Sequence, residues 1–263
     1  MRYSYSSVST WWECPFKYKL RYIDKLQTKP DLRPDNALFE GTAVHEAIEH
    51  RDILKGIDSY KSNYPYIDIN NEIEIFKMEK LMEKAIDQIP ECAEYEHKLL
   101  TDSFVGYIDG LVKVDEGLYD LYDFKFTSGG ASKYAKSMQI HVYKNFYERL
   151  TGNKIRDMYY VIVPKFTEKL NENLSEENLK DKFIKWLEKH DVQFVKVEYD
   201  PKQVSWFFAR MNLLKKATSF EKRYSLTCRW CEYQKFCSTN GKDRSELLDE
   251  SLKEIEVKEV ELF

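Results

Sequence analysis

The residues from Val105 to Phe126 read VGYIDGLVKVDEGLYDLYDFKF and give the clearest structural signal in the chain. Apolar and polar residues alternate on both sides of Asp115-Glu116-Gly117, which is typical of two half-buried strands. These three residues predict a tight turn, because Gly accepts the left-handed backbone that such a turn requires. We therefore expect an antiparallel hairpin in which Val114 faces Leu118.

The predicted register brings two acidic residues together. Asp109 and Asp123 would lie opposite each other on one face of the hairpin, with Cβ atoms ~5 Å apart. Lys125 shares that face, because side chains alternate along a strand. Two facing carboxylates repel each other unless a cation binds between them, and oxygen ligands suit Mg²⁺ or Mn²⁺. The pattern predicts a divalent-metal site; the alternative is two solvated acids on an open sheet face.

Helical and strand spacing continue on both sides of the hairpin and predict a mixed α/β fold, a core sheet with flanking helices. The first predicted helix begins at Ser6 or Ser7, and the last begins with Asp200 as N-cap and Pro201 in the first turn. The predicted helices span residues 6–23, 40–55, 71–88, 131–150, 175–190 and 201–223. The predicted strands span residues 93–100, 104–114, 118–127, 158–163 and 192–199.

The cysteines indicate a metal site that involves both ends of the chain. Five cysteines are an odd number, which argues against a closed disulfide framework. Cys14 stands alone, whereas Cys228, Cys231 and Cys237 follow a C-x2-C-x5-C pattern. Four thiolates can hold either zinc or an iron–sulfur cluster, so the spacing leaves both open. We expect neighbouring aromatic residues to shield this site from solvent, among them Trp11, Trp12, Trp230, Tyr233 and Phe236.

Composition limits the classes of protein that remain. A hydrophobic content of 43% over 263 residues excludes a disordered chain. The net charge is −4, and residues 241–263 carry eight acids against four bases, so any surface for nucleic acid must be local. No apolar run approaches the ~20 residues of a membrane span. The first residues lack the apolar segment of a secretory signal, so we expect a cytoplasmic protein without membrane contact.

Five short motifs in order resemble the PD-(D/E)XK nucleases of the RecB type. They are Gly41-Thr42-Ala43-Val44-His45, Gly106-Tyr107-Ile108-Asp109, Asp123-Phe124-Lys125, Gln139-Ile140-His141-Val142-Tyr143, and the opening Ser4-Tyr5-Ser6-Ser7 with Cys14-Pro15. The four-cysteine pattern is similar to members with an iron–sulfur cluster, such as the CRISPR-associated exonucleases and the AddB-like nuclease domain. The resemblance implies a restriction-endonuclease-like core sheet with a terminal four-cysteine site. It implies a single domain over residues 1–240, followed by an acidic tail over 241–263.

The resemblance also implies roles for individual residues. His45, Asp109, Asp123 and the backbone carbonyl of Phe124 would bind Mg²⁺ or Mn²⁺, and Lys125 would position the attacking water. Gln139 and Tyr143 would lie beside the active site, and Glu96 is a possible additional acid. A [4Fe–4S] cluster is the expected cofactor, with structural Zn²⁺ as the alternative; its ligands would be Cys14, Cys228, Cys231 and Cys237.

The function implied is that of a metal-dependent deoxyribonuclease. The expected activity is an exonuclease acting on single-stranded or end-processed DNA, in repair, recombination, CRISPR adaptation or phage DNA metabolism. A helicase, a recombination protein or a CRISPR protein is a possible partner. The alternative is a non-catalytic DNA-binding or assembly subunit that retains the fold. The ending Glu259-Val260-Glu261-Leu262-Phe263 resembles peptides that dock into sliding clamps; the alternative is a frayed end or an edge strand.

Overall fold

A computed structural model describes residues 2–130, 134, 137–248 and 250–251. The chain divides into two compact units. The sheet unit comprises Leu32–Thr101 and Val105–Val204, and the cysteine unit comprises the residues before Leu32, Asp102–Phe104 and the residues from Ser205 onward. The single domain over 1–240 and the acidic tail over 241–263 stay predictions, and the clamp-like ending lies outside the described residues.

The sheet unit is built on a five-stranded mixed sheet, in agreement with the predicted fold class. Its strands are β1 (Glu94–Leu100), β2 (Val105–Asp115), β3 (Leu118–Thr127), β4 (Lys154–Pro164) and β5 (Gln193–Val197). They lie side by side in sequence order. The β3–β4 pair is parallel and the other pairs are antiparallel. The parallel pair needs a crossover, which the helix after β3 provides.

The hairpin has the predicted register but reaches it by a different turn. Asp115 pairs with Leu118, so the turn contains two residues, and Gly117 has a φ of 66°. Val114 is an extra residue in β2, because the register shifts between Lys113 and Asp115. The predicted pairing of Val114 with Leu118 is therefore wrong. The one-residue bulge compensates for the shorter turn and leaves the rest of the ladder in the expected alignment.

In the part of the chain that the structure describes, six helices lie in the sheet unit or begin in it. They are α3 (Ala37–His50), α4 (Ile53–Lys61), α5 (Ile69–Gln88), α6 (Gln139–Thr151), α7 (Glu176–Leu187) and α8 (Pro201–Lys216). The single helix predicted over 40–55 is wrong, because Arg51 adopts a left-handed conformation and Asp52 caps a new helix. Residues 131–133 and 135–136, within the helix predicted over 131–150, lie outside the described residues.

The two faces of the sheet pack against different helices. One face presents Tyr122, Phe124, Val161 and Val163 to a core formed by α3, α4 and α5. Side chains alternate along a strand, so Asp123 and Lys125 belong to the opposite face. There α6 packs against β1 to β4, and Tyr147 of α6 contacts Tyr119 edge-on.

The cysteine unit contains short helices and a small core. It holds α1 (Tyr5–Glu13), α2 (Pro15–Tyr18), a π-helical turn (Lys19–Ile23), a 3-10 helix (Leu226–Trp230) and α9 (Gln234–Ser238). The N-cap of α1 is Ser4, where Ser6 or Ser7 was predicted, because the Ser4 hydroxyl and Ser7 complete a capping box. The helix α8 ends at Lys216, seven residues before the predicted end. In the described residues, no helix is long and apolar enough to cross a membrane.

Candidate active site

The candidate site lies where two neighbouring strands stop pairing. The β2–β3 ladder runs from Asp115–Leu118 to Gly110–Tyr122. Beyond it, β2 continues to pair with β1, and β3 continues to pair with β4. The next positions along the two strands are Asp109 and Asp123, so both acids stand at the opening between β2 and β3.

The main chain of Phe124 is bound by side chains at this opening. Its N–H donates to Asp109 Oδ2 at 2.7 Å. Its carbonyl oxygen lies 3.0 Å from Nε2 of His45, which α3 supplies. A carbonyl can only accept, so Nε2 is the donor in this contact. Nδ1 lies 4.0 Å from Asp109 Oδ2. The side chains of Asp109 and His45 therefore bind the N–H and the carbonyl of Phe124, which backbone partners would bind if the ladder continued.

Glu96 joins this group from β1. The donor atoms of His45, Glu96 and Asp109 all lie within 4.8 Å of one another. Glu96 has a φ of 47°, a left-handed conformation that is unusual for a residue with a side chain. Burial, together with the nearby Asp109 carboxylate, raises the pKa of Glu96 to about 7. Strain and crowded acids at one point are features that accumulate at functional sites.

Asp123 and Lys125 form the inner part of the site. Asp123 is buried, and Lys125 makes a close ion pair with its carboxylate. Apart from that pair, neither Asp123 oxygen has a hydrogen-bond partner within the described part of the chain. Burial raises the pKa of Asp123, the Asp109 carboxylate adds to this effect, and Lys125 opposes it. Two acids and one lysine thus share a poorly solvated space, where an added cation would be attracted.

The helix α6 places Gln139 and Tyr143 next to the acids. The two residues are one turn apart, and Gln139 Nε2 donates to the Tyr143 hydroxyl at 3.2 Å. Burial raises the pKa of Tyr143, and the nearby carboxylates of Asp123 and Asp109 contribute to this rise. The hydroxyl therefore stays protonated at neutral pH and can donate a hydrogen bond.

The predicted site residues thus fall into one neighbourhood of the sheet unit. His45, Glu96 and Asp109 have converging donor atoms, and Asp123, Lys125, Gln139 and Tyr143 surround them through the contacts above. Sequence reasoning missed the separation of β2 from β3, which exposes the main chain of Phe124. It also missed the backbone conformation of Glu96. Neither has a sequence signal, because the first depends on where the β2–β3 ladder ends and the second on an interruption of the β1–β2 ladder between Tyr95 and His97.

The four expected cysteine ligands line one cavity in the cysteine unit. The cavity has a volume of about 420 Å³ and is lined by Cys14, Cys228, Cys231 and Cys237. Among the described residues, no cysteine belongs to a group of three ligands with donor atoms within 4.8 Å of one another. Burial raises the pKa of Cys231 and Cys237, and for Cys237 the neighbouring Cys14 and Cys228 contribute. Binding of a metal would therefore have to displace protons from these thiols.

Of the residues expected to shield this cavity, Trp230 and Tyr233 line it. Trp12 and Trp230 are 40% and 70% exposed. Tyr233 is buried and donates its hydroxyl proton to the Leu26 carbonyl at 2.7 Å. The aromatic residues therefore split between a small buried core and the surface of the unit.

The family model of the PD-(D/E)XK nuclease superfamily matches residues 2–238, nearly the whole chain. This chain belongs to the PD-(D/E)XK nuclease superfamily. PD-(D/E)XK nucleases are metal-dependent hydrolases that use divalent ions. The mixed sheet with flanking helices is consistent with the PD-(D/E)XK fold.

Other comparisons add less to the PD-(D/E)XK assignment. A search of curated proteins gives no match. A protein from Eubacterium rectale, provisionally described as an exonuclease, has 12% identity and a TM-score of 0.47, covering 86% of this chain and 91% of its own. The protein SSO0001 has 11% identity and a TM-score of 0.34, covering 76% and 83%. At such scores these likenesses carry no argument about activity.

Proposed function

We propose that this PD-(D/E)XK nuclease is a Mg²⁺- or Mn²⁺-dependent exonuclease that degrades single-stranded or end-processed DNA. One observation carries the proposal: His45, Glu96 and Asp109 converge within 4.8 Å beside a buried Asp123. Carboxylate oxygens, an imidazole nitrogen and a main-chain carbonyl form a donor set that suits these divalent ions.

The residues present fit such an ion. Outside the ion pair with Lys125, the Asp123 oxygens have no hydrogen-bond partner among the described residues, so they are available as ligands. His45, Asp109, Asp123 and the Phe124 carbonyl would hold the ion, and Glu96 would be a further ligand. When bound, a divalent ion lowers the pKa of a water and neutralises charge on the scissile phosphate.

The chain supplies the remaining groups. Lys125 carries a positive charge beside the acids, since the carboxylates of Asp123 and Asp109 outweigh burial and raise its pKa. In the proposed reaction its ammonium orients the attacking water and stabilises negative charge on the phosphate. Gln139 and the protonated Tyr143 hydroxyl, already linked to each other, provide donors for a substrate oxygen.

The alternative is a subunit that binds DNA or assembles with a partner without catalysis. Buried facing acids are costly in a protein that only binds, because their mutual repulsion serves no purpose there. The facing acids therefore favour the enzyme. Repair, recombination, CRISPR adaptation and phage DNA metabolism all fit such an activity, and so does a helicase, recombination or CRISPR partner.

The test uses purified protein with end-labelled linear DNA and closed circular single-stranded DNA. We expect Mg²⁺ or Mn²⁺ to support digestion of the linear substrate, with little loss of the circle. Asp109→Asn and Lys125→Ala should each lower the rate about 100-fold or more, whereas Asp115→Asn, next to the turn of the same hairpin, should not. Variants that digest DNA as fast as the parent would refute the catalytic assignment. Rapid loss of the circle would refute the exonuclease mode.

We also propose a [4Fe–4S] cluster for the cysteine cavity. Tetrahedral zinc has Zn–S bonds of ~2.3 Å, so its ligand sulfurs lie roughly 3.8 Å apart. Among the described residues, no three ligands that include a cysteine converge within 4.8 Å, which favours a larger cofactor over Zn²⁺. Protein purified without oxygen should be brown and contain iron and sulfide, and Cys231→Ser should lower both. Colourless protein with one zinc ion would contradict the cluster.

A further inference from the structure

The cysteine unit carries an exposed set of tryptophans and arginines that the active site does not use. The chain has five tryptophans. Trp12, Trp206 and Trp230 are 40%, 53% and 70% exposed, and all three lie in the cysteine unit. Large exposed aromatic rings on a folded protein indicate a surface with a partner.

Two of these rings, those of Trp12 and Trp230, lie under arginine guanidinium groups. The guanidinium of Arg210 lies 4.2 Å from the Trp12 ring centre, and that of Arg229 lies 3.8 Å from the Trp230 ring centre. Arg223 lies over the Trp12 ring at 5.9 Å and donates to the Trp12 carbonyl. Trp206 precedes Arg210 by four residues on α8 and so lies on the same helix face.

These residues form one surface. Arg223 and Trp230 line the same cavity, which connects the group around Trp12 to Arg229. We name this the tryptophan–arginine surface; it consists of Trp12, Trp206, Arg210, Arg223, Arg229 and Trp230. Within the described residues, none of its three arginines forms an ion pair with a carboxylate, and Glu232 is instead paired with Lys17 and Arg21.

We propose that the tryptophan–arginine surface binds single-stranded DNA, by stacking bases on its tryptophans and pairing phosphates with its arginines. Exposed aromatic rings combined with arginines that, in the described part of the chain, pair with no carboxylate are the physical features of a single-strand binding surface. Duplex DNA keeps its bases stacked on each other and cannot use the rings in this way. Unpaired guanidinium groups favour a polyanion over a protein partner. The inference rests on the proposed function, since it takes DNA as the substrate.

Binding is measured with Asp109→Asn protein in buffer without divalent metal, so that no DNA is cleaved. The probes are fluorescein-labelled oligo-dT and an abasic oligonucleotide of equal length, followed by fluorescence anisotropy. We expect Trp12→Ala and Trp230→Ala each to weaken oligo-dT binding about 10-fold and to leave abasic binding unchanged. Trp230→Phe should retain most of the affinity, because a ring remains. Arg229→Gln should lower the slope of log affinity against log salt by about 1.

The matched control is Tyr66→Ala, which removes a ring that is 73% exposed in the sheet unit. It should bind oligo-dT like its parent. Unchanged oligo-dT binding by both tryptophan variants would overturn the inference. The tryptophan–arginine surface would then be assigned to a protein partner. Equal losses on oligo-dT and abasic DNA would also overturn it, because stacking requires a base. A parent that neither binds nor digests any DNA would instead refute the proposed function.

Discussion

Asp109 Oδ2 accepts a hydrogen bond from the Phe124 N–H at 2.7 Å, just beyond the point where the β2–β3 ladder ends at Gly110 and Tyr122. The same carboxylate belongs to the group of converging donors with His45 and Glu96. One side chain therefore holds two strands together and contributes to the proposed metal site, and substitutions can separate these two roles.

The first prediction compares two substitutions of Asp109. Asparagine keeps a carbonyl oxygen that can accept from Phe124, whereas alanine leaves a buried N–H without an acceptor. We expect Asp109→Ala to lower the free energy of unfolding by about 1–3 kcal/mol and Asp109→Asn by clearly less. Urea denaturation without metal measures this. Both variants should be inactive; equal stability of the two would show that the hydrogen bond contributes little.

The second prediction concerns metal binding without catalysis. A divalent ion that binds only the folded state at 100 times its Kd raises the free energy of unfolding by about 2.7 kcal/mol. We expect Mn²⁺ to raise the melting temperature of the parent and of Asp115→Asn. Asp123→Asn should lose this response, because one buried charge is removed. If Asp123→Asn is stabilised by Mn²⁺ as much as its parent, Asp123 is not a ligand.

The third prediction uses two glycines in the helices that carry and support His45. A Cβ on Gly56 would lie 2.6 Å from the Ala43 carbonyl oxygen and 2.8 Å from the Ala47 Cβ. We expect Gly56→Ala to lower the free energy of unfolding by about 1–3 kcal/mol, because α3 and α4 must separate. Gly41→Ala is the control, since its Cβ meets nothing within 4 Å. The control should be as stable as the parent or more stable by up to ~1 kcal/mol. Thermal or urea unfolding distinguishes the two.

The fourth prediction is a pH dependence of stability. His141 is buried, its Nδ1 accepts from the Asp200 N–H at 3.2 Å, and burial lowers its pKa. Below about pH 6.5 the unfolded chain takes up a proton at this residue that the folded chain resists, so folding loses stability as pH falls. His141→Gln can keep an acceptor and cannot titrate. We expect the stability advantage of the parent over His141→Gln to shrink between pH 7.5 and 5.0. A constant difference would contradict this.

The sequence predicted most of the sheet because the alternation of residues in the hairpin has only one arrangement that buries its apolar side chains. Asp109 and Asp123 could be placed together for that reason. The predicted turn was wrong because two different turns give the same pairing of β2 with β3 further along the hairpin. One is a two-residue turn with a bulge, and the other is a three-residue turn. Helix boundaries such as the one at Arg51 depend on tertiary contacts. The Arg51 guanidinium donates to the carbonyls of Ile86 in α5 and of Ile89 just after α5.

Parts of the candidate site could not be predicted by any local rule. Lys144 of α6 pairs with Glu148 and donates to the Ile155 carbonyl. Whether a lysine faces solvent or satisfies a carbonyl depends on which backbone groups the fold leaves without partners.

Position 124 contributes to the opening through its peptide group, while its phenyl ring packs in the core on the other face of the sheet. No substitution of that side chain can delete the carbonyl oxygen or, proline apart, the N–H. Selection can therefore change the ring to suit packing without altering the donor set directly. Loss of this proposed ligand would require an insertion, a deletion or a change in strand pairing, which makes it the component of the proposed site most resistant to point mutation.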